Sequence, residues 1–171
     1  STAFSCQPYQ PETNWNLELG LKAQFADGRV QTNLSLFYTK FSDLLRSQVI
    51  PFTDSVGNTS QETVNFNAGT SEVYGLEIEA VWLPTDNLRI DFTGAYTKHN
   101  YIDFMVDTDG DGTEEDLSNL TVPYSPEWQF SVGITYDQQL GNGGSITYNT
   151  TGHYQSEVEL SVFNSLYTQM E

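Results

Sequence analysis

Trp128-Gln129-Phe130-Ser131-Val132-Gly133-Ile134-Thr135-Tyr136-Asp137 decides the fold. Trp128, Phe130, Val132, Ile134 and Tyr136 alternate with Gln129, Ser131, Gly133, Thr135 and Asp137. A period of two is that of a β-strand, whose successive side chains point to opposite faces of a sheet. The apolar face is aliphatic at its middle and aromatic at both ends. Amphipathic rings settle at the headgroup level of a bilayer, so this is the face a strand turns to lipid. The stretch therefore reads as one strand of a membrane β-barrel.

Outward from it, the same pattern recurs five times. Trp15, Leu17, Leu19, Leu21, Ala23 and Phe25 oppose Asn16, Glu18, Gly20, Lys22 and Gln24. A second run starts at Val30 and continues past Phe41 towards Ile50, its parity blurring at Phe37 and Phe41, for which a bulge is one explanation. Tyr74, Leu76, Ile78, Ala80 and Trp82 form a third apolar face, and Leu88, Ile90, Phe92 and Tyr96 a fourth. The Trp128 strand is the fifth, and a sixth begins at Ile146 and fades after His153.

Short turns at Ala26-Asp27-Gly28-Arg29, Pro84-Thr85-Asp86-Asn87 and Gly141-Asn142-Gly143-Gly144 alternate with polar loops expected over 51–66 and 103–123. Asp27-Gly28 supplies the positive φ that a tight hairpin needs. Connections this short imply sequential antiparallel pairing. All short turns then fall on one side and all long loops on the other, the asymmetry of outer-membrane barrels. Six strands are too few to close such a barrel, whose single-chain bacterial examples begin at about eight strands. The expectation is an all-β, antiparallel up-and-down transmembrane β-barrel, of which residues 1–171 supply about six strands as one domain fragment.

Composition narrows the rest. The formal net charge is -17, with Lys+Arg at 6, so no basic stripe exists to neutralise phosphates and nucleic acid is excluded as a partner. No apolar run approaches the roughly 18 residues of a transmembrane helix. A membrane role therefore requires a closed sheet, the other arrangement that satisfies every backbone group in lipid. The single cysteine, Cys6, excludes an internal disulfide framework. Ser1–Gln10 shows neither the positive start nor the apolar stretch of a secretory signal, which suggests a chain beginning within something longer.

Pro11-Glu12-Thr13-Asn14-Trp15-Asn16-Leu17-Glu18-Leu19-Gly20-Leu21-Lys22; Phe25 to Val30 followed by Leu36-Phe37-Tyr38; Asn67-Ala68-Gly69 with Tyr74-Gly75-Leu76-Glu77-Ile78-Glu79-Ala80; Pro84 to Leu88; and Val122-Pro123-Tyr124-Ser125-Pro126-Glu127-Trp128 together resemble segments of TonB-dependent outer-membrane receptors. The resemblance covers nearly the whole chain, in the family's order. It implies late strands of a 22-stranded barrel plugged by an N-terminal domain. It further implies a bacterial outer-membrane location among lipid and lipopolysaccharide. The implied activity is import of a scarce small molecule such as a ferric siderophore, energised by the TonB complex through the plug. The plug, the TonB-engaging segment and the final aromatic-ended strand do not correspond to anything in these residues.

The sharpest local motif is Asp107-Thr108-Asp109-Gly110-Asp111-Gly112-Thr113-Glu114-Glu115-Asp116. Oxygen donors at alternate positions followed by glycine match the start of a calcium loop. Asp107, Asp109 and Asp111 would ligate through carboxylates, Thr113 through its carbonyl and Glu115 directly or through water. The twelfth position, where such loops carry Glu, is Ser118. A bound calcium ion would order an outer loop rather than catalyse; without one, the segment is a solvated acidic loop. Glu18, Lys22, Glu77, Glu79, Arg89 and Asp91 share the polar face. They make either a passage wall touching substrate or plug, or, as the favoured reading, a cross-strand salt network. Lys98, His99 and His153 have no spaced partners that suggest zinc. No nucleophile elbow, phosphate loop or His-Glu metal motif is present, so no enzyme is expected. Sequons at Asn58, Asn119 and Asn149 read as coincidence.

The rival reading is a secreted soluble β-sandwich binding calcium and a carbohydrate or protein ligand, since a sandwich strand also hides one face. Tryptophans at the ends of apolar faces, not their centres, and alternating short and long connections speak for the barrel.

Overall fold

The computed structural model describes residues 9–53, 57–67, 69–107, 113–161 and 169–170. Most of them lie in strands: β1 (Thr13–Phe25), β2 (Val30–Ser42), β3 (Leu45–Thr53), β4 (Thr59–Asn67), β5 (Thr70–Thr85), β6 (Leu88–Asp103), β7 (Met105–Val106), β8 (Glu115–Asp116), β9 (Trp128–Gln139), β10 (Ser145–Gln155), β11 (Val158–Glu159) and β12 (Gln169–Met170). The main sheet has six strands in the order β1-β2-β5-β6-β9-β10, an open up-and-down meander with β1 and β10 at its edges. Its six members are the six alternating runs of the sequence.

The long connections depart from expectation. In place of a bulge, Asp43 breaks the second run with φ 57. The chain then makes a separate hairpin in which β3 pairs antiparallel with β4, from Leu45↔Asn67 to Thr53↔Thr59. The segment expected as a polar loop over 51–66 is therefore mostly strand. The other long connection holds the small β7–β8 pair.

By contacts the chain divides into two compact units. One comprises Ser1–Trp15, Thr39–Glu72 and Asn100–Thr121. Its interior is small and dense: Leu44, Tyr101, Phe104 and Val106 are buried, with Ser71. The rings of Tyr101 and Phe104 stack at 4.4 Å. Asn67 ties the base of the β3–β4 hairpin. Its Nδ2 donates to the Gln10 carbonyl at 3.0 Å and the Asp43 carbonyl at 2.7 Å, and its Oδ1 accepts from the Gln10 N–H at 2.7 Å. The Glu12 carboxylate accepts from the Leu45 N–H at 3.2 Å. Gly69, at φ 106, lies so near Asp103 that a Cβ would fall 2.1 Å from its carbonyl oxygen.

The second unit comprises Asn16–Tyr38, Val73–His99 and Val122–Glu171 and holds most of the main sheet. Pairing preserves parity, so faces stay continuous. Ile90, Phe92 and Tyr96 of β6 stand opposite Ile134, Val132 and Trp128 of β9. Ile134 and Val132 in turn meet Thr150 and Gly152 of β10, while Tyr136 meets Tyr148. The Leu83 N–H donates to the Arg29 carbonyl at 2.8 Å and Asn33 reaches Glu79, which sets β2 antiparallel to β5. The first short turn takes three successive left-handed residues, Ala26 (φ 55), Asp27 (φ 52) and Gly28 (φ 86). From its end, Arg29 reaches the neighbouring turn and pairs with Asp86 at 2.7 Å.

Candidate functional site

The apolar face of the sheet is uncovered. Leu19 is 70% exposed and Trp82 50%; Leu17, Leu21, Leu36, Val132, Ile134 and Ile146 are exposed likewise. A water-soluble fold buries such side chains, each worth roughly 1.5–3 kcal/mol on full burial. Aromatic residues gather in two bands. Towards one end Tyr96 lies 4.6 Å from Trp128, which is followed by Phe130 at 5.8 Å and Tyr154 at 5.9 Å from Phe130. Towards the other, Tyr136 stacks on Tyr148 at 6.4 Å. Trp128 and Tyr136 are eight residues apart, which at ~3.3 Å per residue is roughly 26 Å along the strand. Tilted by ~40°, that spans about 20 Å of depth, close to the apolar band of an outer-membrane barrel.

The opposite face is polar and grooved. One concavity, about 440 Å³, is lined by Glu18, Lys22, Asn33, Ser35, Glu77 and Glu79 among others. A second, about 570 Å³, includes Glu77, Gln129, Ser131, His153 and Gln155. The carboxylates here are held chiefly by neutral donors. Asn33 Nδ2 donates to Glu79 at 3.1 Å and Ser35 Oγ to Glu18 at 2.9 Å. Further along, Thr147 Oγ1 donates to Asp137 at 2.5 Å and Asn149 Nδ2 to Thr135 at 2.8 Å. The cross-strand salt network expected from the sequence is not what forms. Among the described residues, the ion pair of Arg89 and Asp91, at 2.5 Å, joins positions two apart on one strand. Arg89 finds its carboxylate along its own strand, and its partner across the ladder is Thr135.

Phe37 is the residue the sequence placed ambiguously, and parity resolves it. It stands on the polar face, its ring over Gly75, where a Cβ would come within 2.8 Å of the ring and 2.2 Å of the Tyr96 carbonyl oxygen. The blurred alternation at Phe37 was the available signal; it marked an inward aromatic, not a bulge. Lys98 pairs with Glu127, and His99 Nδ1 meets Ser125 Oγ at 3.3 Å while Ser125 donates to the Pro123 carbonyl at 3.2 Å. His153 lies opposite Ser131.

Of the five residues expected to hold calcium, Asp109 and Asp111 lie outside the described residues, as does Cys6. Asp107 is half-buried, Thr113 and Glu115 are exposed, and each of the three has an interaction of its own within the protein. Glu115 pairs with Val106 and Asp116 with Met105 in the β7–β8 ladder, which closes the loop's base. Ser118 strengthens that closure: its Oγ accepts from the Phe104 N–H at 2.9 Å, and its own N–H donates to Asp116 at 3.0 Å. Hydrogen bonding from Ser118, the hydroxyl first and the backbone N–H second, holds the Asp116 carboxyl below the ordinary aspartate range. The twelfth loop position thus serves the loop's own framework. Among the described residues, no three His, Cys, Asp or Glu side chains group as metal ligands.

A family model described as TonB dependent receptor-like, beta-barrel matches residues 2–168. The ferric-pyoverdine 358 receptor of Pseudomonas putida is 30% identical over 171 residues, covering 95% of this chain and 18% of that receptor. Among solved structures, the ferric yersiniabactin uptake receptor FyuA of Yersinia pestis superposes with a TM-score of 0.67 at 18% identity, covering 95% of this chain and 21% of that one. The ferric preacinetobactin receptor BauA of Acinetobacter baumannii gives 0.61, also at 18% identity, covering 95% of this chain and 22% of that one. The chain spans about a fifth of the length of these relatives.

Proposed function

The chain belongs to the TonB-dependent receptor-like β-barrel family, and on that premise we propose that it forms part of the barrel wall of a bacterial outer-membrane receptor importing a ferric siderophore. The observation that carries the reading is the uncovered aliphatic face edged by two aromatic bands. It suits lipid and, at the outer rim, lipopolysaccharide, and it deprives the soluble sandwich of support. In this reading the polar grooves around Glu77 and Glu79 face the lumen, where cargo passes or a plug domain docks. Neutral donors hold Glu18 and Glu79 in place, so the wall offers fixed acceptors to whatever occupies the lumen. Energy would arrive through the TonB complex acting on the plug. The protein is read as a transporter, not an enzyme; the matched relatives are described as receptors.

The direct test is uptake of radiolabelled ferric siderophores by cells with and without the receptor gene, repeated in a strain lacking TonB. Uptake that needs both supports the proposal; uptake that survives loss of either overturns it. We further propose that the loop over 107–116 takes calcium, supported by the alternating donors Asp107, Asp109, Asp111, Thr113 and Glu115 and by the ladder that closes its base. Calorimetric titration of calcium into the purified receptor should give a binding event that Asp109→Ala and Asp111→Ala abolish. Binding unaltered by both substitutions returns the segment to a solvated acidic loop.

A further inference from the structure

The short turn between β9 and β10 carries a reactive arrangement. Of the twelve asparagines in the chain, Asn142 is the one followed by glycine. Asn142 and Gly143 are both exposed, and Gly143 adopts φ 85, open to glycine and strained for other residues. A Cβ built on Gly143 would meet nothing within 4 Å, so water reaches this peptide freely. The Asn142 side chain folds over the following backbone, its Oδ1 accepting from the Gly144 N–H at 3.1 Å. That bond draws electron density from the amide carbon and holds the group beside the main chain of Gly143 and Gly144.

We propose that Asn142 is a site of spontaneous covalent modification, independent of the transport reading. The Gly143 backbone nitrogen, on losing its proton, attacks Cγ of Asn142. A C–N bond forms, the side-chain nitrogen leaves as ammonia, and a five-membered succinimide results. Water then opens the ring at either carbonyl, leaving aspartate or isoaspartate. The net change is one water consumed and one ammonia released, with no redox step. Elsewhere in the chain the residue after asparagine carries a side chain that obstructs the approach.

The turn also restrains the reaction. The Gly143 N–H donates to the Leu140 carbonyl at 3.0 Å, and the Leu140 N–H to the Gly144 carbonyl at 2.8 Å. Attack requires the first of these bonds to open, so conversion counts local openings of the hairpin. Isoaspartate places an extra methylene in the main chain and a new negative charge at the turn, which prevents both bonds from re-forming. Modification therefore loosens the end of β9–β10 permanently.

The test is peptide mass spectrometry with an isoaspartate-specific methyltransferase assay, on the folded receptor aged in mildly acidic and mildly alkaline buffers. Isoaspartate should accumulate at position 142 ahead of every other asparagine, faster in alkali, and more slowly in the folded protein than in the denatured chain. Asn142→Gln should remove the signal and leave folding intact. Conversion at position 142 no faster than at the other asparagines of the folded protein would overturn the proposal. Equal rates in folded and denatured protein would overturn the restraint by the turn.

Discussion

Val132→Lys puts the assignment of faces at risk. Val132 lies midway between Trp128 and Tyr136, four residues from each, and pairs with Phe92 on one side and Gly152 on the other. At ~3.3 Å per residue and a ~40° tilt, each aromatic band is roughly 10 Å away in depth, which sets Val132 near the middle of a ~25 Å apolar band. Lysine there should cost about 2–4 kcal/mol, or roughly a 30- to 800-fold loss in the folded-to-unfolded ratio at ~1.4 kcal/mol per decade. Ile90, whose partner Ile134 sits two residues from Tyr136, is shallower, and Ile90→Lys should cost about 1–2 kcal/mol on the same depth scale. Ser131→Lys, one residue from Val132 but on the polar face, should cost close to nothing. The assay is urea unfolding from lipid vesicles, followed by the mobility difference between folded and unfolded barrel on gels. Equal midpoints for Val132→Lys and Ser131→Lys would refute the reasoning, because depth and face would then carry no energy.

Three further outcomes are expected. Gly75→Ala forces a Cβ to 2.2 Å from the Tyr96 carbonyl and should destabilise by about 1–3 kcal/mol, as overpacking does. Gly152→Ala, with nothing within 4 Å, is the silent control, and indistinguishable thermal midpoints for the two would contradict the close approach. Asn67→Ala removes three hydrogen bonds at the hairpin base; being exposed, they should be worth about 1 kcal/mol together. The Leu44 and Leu45 amides should then exchange faster, and unchanged protection would count against the clasp. Asp116 titrates below the ordinary aspartate range because of Ser118. A lowered carboxylate contributes above its unfolded value and loses that contribution as pH falls through the folded one. Carbon-detected titration should show Ser118→Ala raising the Asp116 midpoint, and an unmoved midpoint would remove Ser118 as the cause.

The main sheet was legible because most of its strands alternate apolar and polar residues. Trp15 to Phe25 and Trp128 to Tyr136 state period two outright, and short turns such as Ala26 to Arg29 leave antiparallel pairing as the consequence. The β3–β4 hairpin was not legible for the converse reason. Thr59 to Asn67 is polar at every position but Val64 and Phe66, too short an apolar alternation to mark a strand, and Pro51 argued against one. The end of β2 escapes the pattern because Asp43 takes a left-handed conformation that asparagine-like residues reach at small cost and that no local pattern announces. On the polar face, composition showed which residues share a surface but not which partner each reaches. Arg89 chose Asp91 over Glu77 or Glu79 by strand geometry alone. The acidic loop is the reverse case: its donors were plain in the sequence, while the role of Ser118 in closing the loop required coordinates.

Parity-preserving register from β6 through β9 to β10 limits how such a wall can change length over time. Deleting one residue between Trp128 and Tyr136 would send every later side chain of that strand to the wrong surface, valine and isoleucine into water and serine and threonine into hydrocarbon. Removing two restores every assignment and merely shortens the crossing by about 7 Å along the strand. Insertions and deletions inside these segments are therefore admissible only as dipeptides, whereas single-residue changes in the connections over 43–69 and 104–127 leave the faces of the main sheet as they are. Drift in this lineage should leave its record as even-numbered steps in the strands and arbitrary ones between them.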